Sequence, residues 1–80
     1  MIFIGSRSVK TSEQLMDEGS THYEAGRYME AIAAYYQVLQ HVPNHAAAYY
    51  SKANVLSSLE HYQEAILAYD RAIQLAPPYP

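Results

Sequence analysis

At 80 residues, with no cysteine and a net charge of −3 at neutral pH, the chain holds at most one small domain, without a disulfide framework or a thiolate metal site. Its five basic residues, Arg7, Lys10, Arg27, Lys52 and Arg71, are scattered, which leaves no stripe to follow a phosphate backbone and argues against nucleic acid. No apolar run approaches the roughly 20 residues of a membrane span, and the absence of cysteine fits a reducing, cytoplasmic setting.

The chain opens with Met1-Ile-Phe-Ile4, an apolar run that stops at Gly5, too short for a signal-peptide core. Residues 1–11 read as an N-terminal extension or linker, with room for one short strand. Thr11-Ser-Glu-Gln14 reads as a capping box, so the first helix runs from about Ser12 to Ala25, where Gly26 tolerates the left-handed turn that ends it. The second helix runs from about Tyr28 to His41. Pro43 cannot continue it, and Asn44 is placed to cap the third, from about Ala46 to Leu59. The fourth runs from about Tyr62 to Ala76 and stops at Pro77-Pro78. Connections of two to four residues force neighbouring helices to be antiparallel. No sheet is expected.

Sliding the chain along itself by 34 residues superposes Tyr28 on Tyr62, Glu30 on Glu64, Ala31 on Ala65 and Ile32 on Ile66. It also superposes Ala34 on Ala68, Tyr35 on Tyr69, Gln40 on Gln74 and Pro43 on Pro77. A fixed period of this length marks a helical repeat. Small residues at matched places, Gly19 and Ala53 in the first helix of each unit and Ala31 and Ala65 in the second, let paired backbones approach. Tyr28, Tyr35, Tyr62 and Tyr69, with Leu15, Ile32, Leu39, Leu56, Ile66 and Ile73, fill the remaining space.

These residues resemble two tetratricopeptide repeats, over residues 12–45 and 46–79. The family pattern is matched by Gly19, Gly26, Tyr28, Ala31, Tyr35 and Pro43 in the first. The second matches at Tyr49, Ala53, Tyr62, Ala65, Tyr69, Ala72 and Pro77. Gly-Arg-Tyr-Met-Glu-Ala-Ile and His-Tyr-Gln-Glu-Ala-Ile are close to the family's most recognisable stretch. Glu18 and Lys52 stand where the family often has Leu, and His22 where an apolar residue is usual, so looser packing of the first helix is expected. The resemblance implies an all-α, right-handed solenoid of two helix-turn-helix hairpins, four antiparallel helices in all. It also implies a non-catalytic scaffold for protein–protein interaction, with a partner segment held on the face made by the first helix of each hairpin.

Carried over residue by residue, that groove comprises Glu13, Met16, Asp17, Ser20, Tyr23 and Glu24 from the first repeat. The second supplies Tyr50, Ser51, Asn54 and Ser57, with Ala47 and Ser58 beside them. The same residues lie opposite Gly19 and Ala53 on their helices, away from the hairpin interior. The groove is acidic at the first helix and neutral at the third, which suits a peptide with basic or apolar side chains. One branch of the family clamps the C-terminal carboxylates of heat-shock chaperones with Lys, Arg and Asn. Asn54 matches one Asn of that clamp, but Met16 and Tyr50 stand where Lys could be, so an acidic tail is excluded. The alternative for the exposed acids is a plainly solvated face.

No catalytic residue, cofactor or metal is expected. His41 and His45 straddle Pro43 and so share no helix face, and the sequence has no nucleophile elbow, phosphate loop or dinucleotide fingerprint. On the last helix, Ile66, Leu67, Tyr69, Ile73 and Leu75 are more apolar surface than one hairpin buries. Ile66, Leu67, Tyr69 and Ile73 therefore form a candidate self-association face, covered by another copy, a partner, or further repeats of a longer array. Besides the peptide scaffold, two other readings follow: a dimerisation module, and a regulatory appendage of a larger enzyme.

Overall fold

The computed structural model of the chain describes residues 9–77. The short strand or linker at residues 1–8 and the end of the second repeat at residues 78–80 lie outside the described residues. Four α-helices account for most of the rest: α1 Ser12–Glu24, α2 Tyr28–His41, α3 Ala46–Ser58 and α4 Tyr62–Leu75. They form an all-α solenoid of two helix-turn-helix hairpins, with no strand among the described residues.

The helix ends follow from local chemistry. Thr11 Oγ1 accepts from the Gln14 backbone N–H at 3.1 Å, and the Gln14 side chain accepts from the Thr11 N–H at 2.9 Å. This reciprocal box satisfies two donors that the first turn would otherwise leave unpaired. Helix α3 is capped differently from the sequence expectation. The cap is His45, whose Nδ1 accepts from the Ala48 N–H at 3.1 Å. Asn44 sits one residue too early to reach the second or third amide of that helix.

Both first helices end in the same Schellman geometry. The Gly26 N–H bonds the Tyr23 carbonyl at 3.0 Å and the Arg27 N–H bonds the His22 carbonyl at 2.8 Å. In the second hairpin, Glu60 and His61 repeat these bonds to Ser57 and Leu56 at 2.9 and 2.8 Å. The motif requires a left-handed residue. Gly26 supplies it at φ 79°, and Glu60, one repeat later, is forced into it at φ 64°.

The core is built from small residues and one large ring. Ala31, Val38, Ala48, Ala53 and Val55 are fully buried, and Tyr35 is 2% exposed. Gly19 is buried against Tyr35, which occupies the space that a side chain at position 19 would need. Helix α3 lies on the first hairpin. Ala48 packs with Leu15 and Val38, with Met16 and Leu39 alongside, and Val55 packs with Ala31 and Tyr35. Its other side faces α4, where Ala53 and Leu56 meet Ala65 and Ala68. Helix α1 buries only Leu15 and Gly19, whereas α3 buries Ala48, Ala53, Val55 and Leu56. Part of the reason is that α3 has neighbours on two sides. The other part is that Glu18 of α1 turns outward to pair with Lys10.

Tyr62 departs from its expected role as a filler. Its repeat counterpart Tyr28 is half-buried beside Tyr23, with ring centroids 5.7 Å apart, against the core that α3 completes with Val55 and Leu59. Tyr62 is 57% exposed, because among the described residues no helix lies on the second hairpin as α3 lies on the first.

Candidate functional site

The face shared by α1 and α3 gathers most of the predicted groove residues, though not as a uniform surface. Glu13, Asp17, Ser20 and Glu24 are exposed along α1. Met16 is half-buried and packs into two core clusters, so it anchors α1 on α3 more than it faces solvent. Tyr23 is also half-buried, and its hydroxyl lies 2.9 Å from Ser58 Oγ, a hydrogen bond that ties one hairpin to the next. On α3, Tyr50 is exposed, while Ser51, Asn54 and Ser57 are half-buried.

The second hairpin contributes a residue that the sequence places both among the hairpin fillers and on the self-association face. Tyr69, expected on the self-association face, turns toward α3. Its ring meets Tyr50 edge-on with centroids 5.5 Å apart, and its hydroxyl donates to Asn54 Oδ1. The first hairpin has the matched pair: the Tyr35 hydroxyl is 3.3 Å from Ser20 Oγ. In each hairpin, therefore, a tyrosine of the second helix reaches across to a polar side chain of the first, with the same separation in the chain. The superposition of Tyr35 on Tyr69 carried that signal. Burial, and then the nearby Tyr50 and Tyr23 hydroxyls, push ionisation of Tyr69 above the usual tyrosine range.

The bond to Tyr69 has a consequence for Asn54. An amide whose oxygen is occupied keeps its two N–H donors for another acceptor. Beside it, the exposed Tyr50 ring offers an apolar edge. At the α1 end, Glu13, Asp17 and Glu24 lie with no cation in contact among the described residues. Lys10 is engaged by Glu18, the Arg27 Nε donates to His22 Nδ1 at 3.0 Å, and Arg71 bonds Gln74 at 3.3 Å. Lys52 lies in a cleft with Glu64 and Leu67, on the opposite side of α3.

The predicted self-association residues also separate. Ile66 and Ile73 are 57% and 53% exposed and lie on one stripe of α4. Leu67 is exposed on a different flank, in the cleft with Lys52 and Glu64. Tyr69 borders the stripe but is half-buried. His41 is exposed, and His45 is committed to capping α3. Among the described residues no three His, Asp or Glu side chains cluster as a metal site would require, and no helix is long and apolar enough to cross a membrane.

The family profile described as "Tetratricopeptide repeat" matches residues 16–80. The chain is similar to "Tetratricopeptide repeat protein 33" from Homo sapiens, 42% identical over 66 residues, which is 82% of this chain and 25% of that protein. The protein of the same name from Mus musculus is 39% identical over 66 residues, covering 82% and 25% of the two chains. That from Xenopus laevis is 34% identical over 70 residues, covering 88% and 27%. The chain thus spans about a quarter of the length of these curated relatives.

Proposed function

The chain belongs to the tetratricopeptide repeat family, whose repeats serve protein–protein interaction, and from that premise we propose that it is a non-catalytic scaffold holding an extended partner peptide across the α1–α3 face. The observation that carries this reading is the Tyr69–Asn54 bond. It fixes the Asn54 amide, whose donors have no partner among the described residues, at the exposed edge of Tyr50, where a peptide carbonyl and an apolar side chain find partners together. Glu13, Asp17 and Glu24 then favour Lys or Arg in the segment of the peptide that crosses α1, and disfavour acidic segments through like-charge repulsion.

The test is fluorescence anisotropy with two labelled peptide pools of equal length and hydrophobicity, one basic and one acidic. The basic pool binds more tightly, and its advantage shrinks as salt rises. Asn54→Ala with Tyr50→Ala weakens binding by about tenfold or more, and Asp17→Lys with Glu13→Lys removes the preference for basic peptides. Equal binding of the two pools sinks the proposal. The exposed stripe on α4 favours a second reading, self-association of the module, which uses a different face.

A further inference from the structure

Helices α2 and α4 carry the same apolar stripe. On α2 it is Tyr28, Ile32, Tyr35, Leu39 and Val42; on α4, one repeat later, it is Tyr62, Ile66, Tyr69, Ile73 and Ala76. Both recur at alternating intervals of four and three residues, the spacing of a seam between two helices. Every residue of the α2 stripe is buried or half-buried, because α3 lies along it. On α4 only Tyr69 is withdrawn; Tyr62, Ile66 and Ile73 are 57%, 57% and 53% exposed. A cavity of about 510 Å³ lined by Ala46, Ala47, Tyr50, Ala72, Ile73 and Ala76 opens at the end of this stripe. Its counterpart in the first hairpin, beside Val38, Leu39 and Met16, is filled by Ala48 of α3. Ala72 and Ala76 stand where the first hairpin has Val38 and Val42, so the second socket takes a side chain larger than alanine.

We propose that a second copy of this chain covers the stripe, with the two α4 helices antiparallel about a two-fold axis near Tyr69 and Asp70. The first hairpin shows what a guest helix must bring: one apolar residue for the socket and another seven positions later, in the roles of Ala48 and Val55. It must also run antiparallel to its host, as α3 does to α2. Helix α4 meets all three conditions. Ile66 and Ile73 are seven residues apart, Ile66 has the bulk the socket calls for, and antiparallel pairing sets Ile66 of each copy beside Ile73 of the other. One contact then generates the other by symmetry, which is the condition for a closed, isologous dimer.

Helix α1 does not meet them. Its counterparts of Ala48, Val55 and Leu59 are Gln14, Thr21 and Ala25, all exposed. Stacking α1 of one copy on α4 of another would bury the polar side chains of Thr21 and Gln14, whose only bond among the described residues is the capping-box contact to Thr11, at a cost that the Ala48 and Val55 contacts never bear. Head-to-tail growth into a filament is therefore disfavoured and the two-fold pair preferred. Asp70 lies on the rim of the contact. Its counterpart Tyr36 remains 55% exposed even under α3.

The absence of cysteine makes a clean test. A single Asp70→Cys substitution places one thiol near the axis, where it meets itself. Under mild oxidation the Asp70→Cys chain forms a disulfide dimer at least about tenfold faster than a Met29→Cys control, whose site is 68% exposed but distant from the stripe. In sedimentation equilibrium, Ile73→Glu weakens association by about 100-fold or more, because each dimer would bury two carboxylates. Asp70→Asn, which removes a like-charge approach at the rim, tightens it about threefold. The proposal fails if the chain is monomeric at millimolar concentration, if mass grows past the dimer with concentration, or if the two cysteine variants cross-link at the same rate. If Ile73→Glu does not fold, the cross-linking rates decide the matter. The groove variants Glu13→Lys and Asp17→Lys, on α1 and outside the socket lined by Tyr50 and Ile73, leave the cross-linking rate unchanged, so failure of the peptide preference and failure of dimerisation are separable.

Discussion

Adding one methyl group at Gly19 tests the packing logic most directly. By helix propensity alone, Gly19→Ala should stabilise the mid-point of α1 by about 1 kcal/mol. The structure reverses that sign. A Cβ there would stand 2.6 Å from Tyr35 Cζ and 2.9 Å from Tyr35 Cδ1, where carbon atoms ordinarily rest about 3.5–4.0 Å apart. The ring would have to retreat by roughly 1 Å, yet it is 2% exposed and packed against Ala31 and Val55. Overpacking of a filled site costs about 1–3 kcal/mol, and the displaced hydroxyl loses its bond to Ser20, worth about 0.5–1.5 kcal/mol. Together these outweigh the propensity gain and leave a net loss of about 1–2 kcal/mol, or a fall in Tm of roughly 5–15 °C for a domain this small. Thermal unfolding by circular dichroism, in the Ile73→Glu background so that association does not contribute, measures it. The same substitution made in a Tyr35→Leu chain should be neutral or stabilising by up to about 1 kcal/mol, because the atoms in its way are gone. A Gly19→Ala chain more stable than its parent would refute the reasoning.

Other perturbations follow from the same contacts. Ala53→Gly, the reverse exchange at the matched position, destabilises by about 2 kcal/mol in urea unfolding, since a fully buried methyl and helix propensity are both lost. Glu60→Gly stabilises by about 0.5–1 kcal/mol by relieving the left-handed strain, whereas Gly26→Ala destabilises by about 1 kcal/mol; paired thermal melts check both signs. Thr11→Ala removes the capping box and costs about 1 kcal/mol, with faster amide exchange confined to the first turn of α1. Tyr69→Phe costs about 1 kcal/mol at neutral pH and changes the alkaline limb. The folded chain holds the Tyr69 proton to higher pH than the unfolded chain, which loses it near pH 10. The parent's stability is therefore unaffected by this group below about pH 10 and falls as pH rises above it. Tyr69→Phe lacks that component, so the stability difference between the two chains narrows above about pH 10.

The repeat was legible because it is written in identical residues at a fixed offset, and the helices were legible because their ends carry Thr11, Gly26 and Pro43. What the offset did not convey is how one role is filled by different chemistry in the two units. Glu60 replaces Gly26, and nothing in its side chain marks a left-handed residue. His45 caps α3 through a ring nitrogen, although Asn44 is the stronger cap former by type; backbone position, one residue nearer the helix, decides between them. Tyr62 and Tyr28 are the same residue at the same repeat position, yet one is exposed and the other half-buried. That difference lies in the presence of α3 on the first hairpin, a property of the neighbouring unit and not of the tyrosine.

The candidate site shows the same division. Family resemblance named Asn54 and Tyr50 but treated each as a side chain facing solvent by itself. The structure makes them parts of a network whose third member, Tyr69, comes from α4. The sequence put Tyr69 with Ile66 and Ile73 because the last helix carries more apolar surface than one hairpin buries, and that excess does not tell which of these residues the neighbouring helix draws inward. The resolving fact is the reach of a tyrosine: its ring packs on the stripe while its hydroxyl extends far enough to meet α3, so one residue borders both the groove and the seam. The proposed groove and the proposed seam are therefore expected to be coupled through Tyr69. A partner copy seated on α4 would bury more of the Tyr69 ring, hold its hydroxyl on Asn54 and stiffen the amide proposed to receive the peptide. Peptide affinity should then rise with dimerisation, and Ile73→Glu should lower peptide affinity only at protein concentrations where the parent is dimeric. Anisotropy titrations of both chains above and below the dimer dissociation constant measure that coupling. Equal affinities in the two regimes would show that Tyr69 separates the faces and does not connect them.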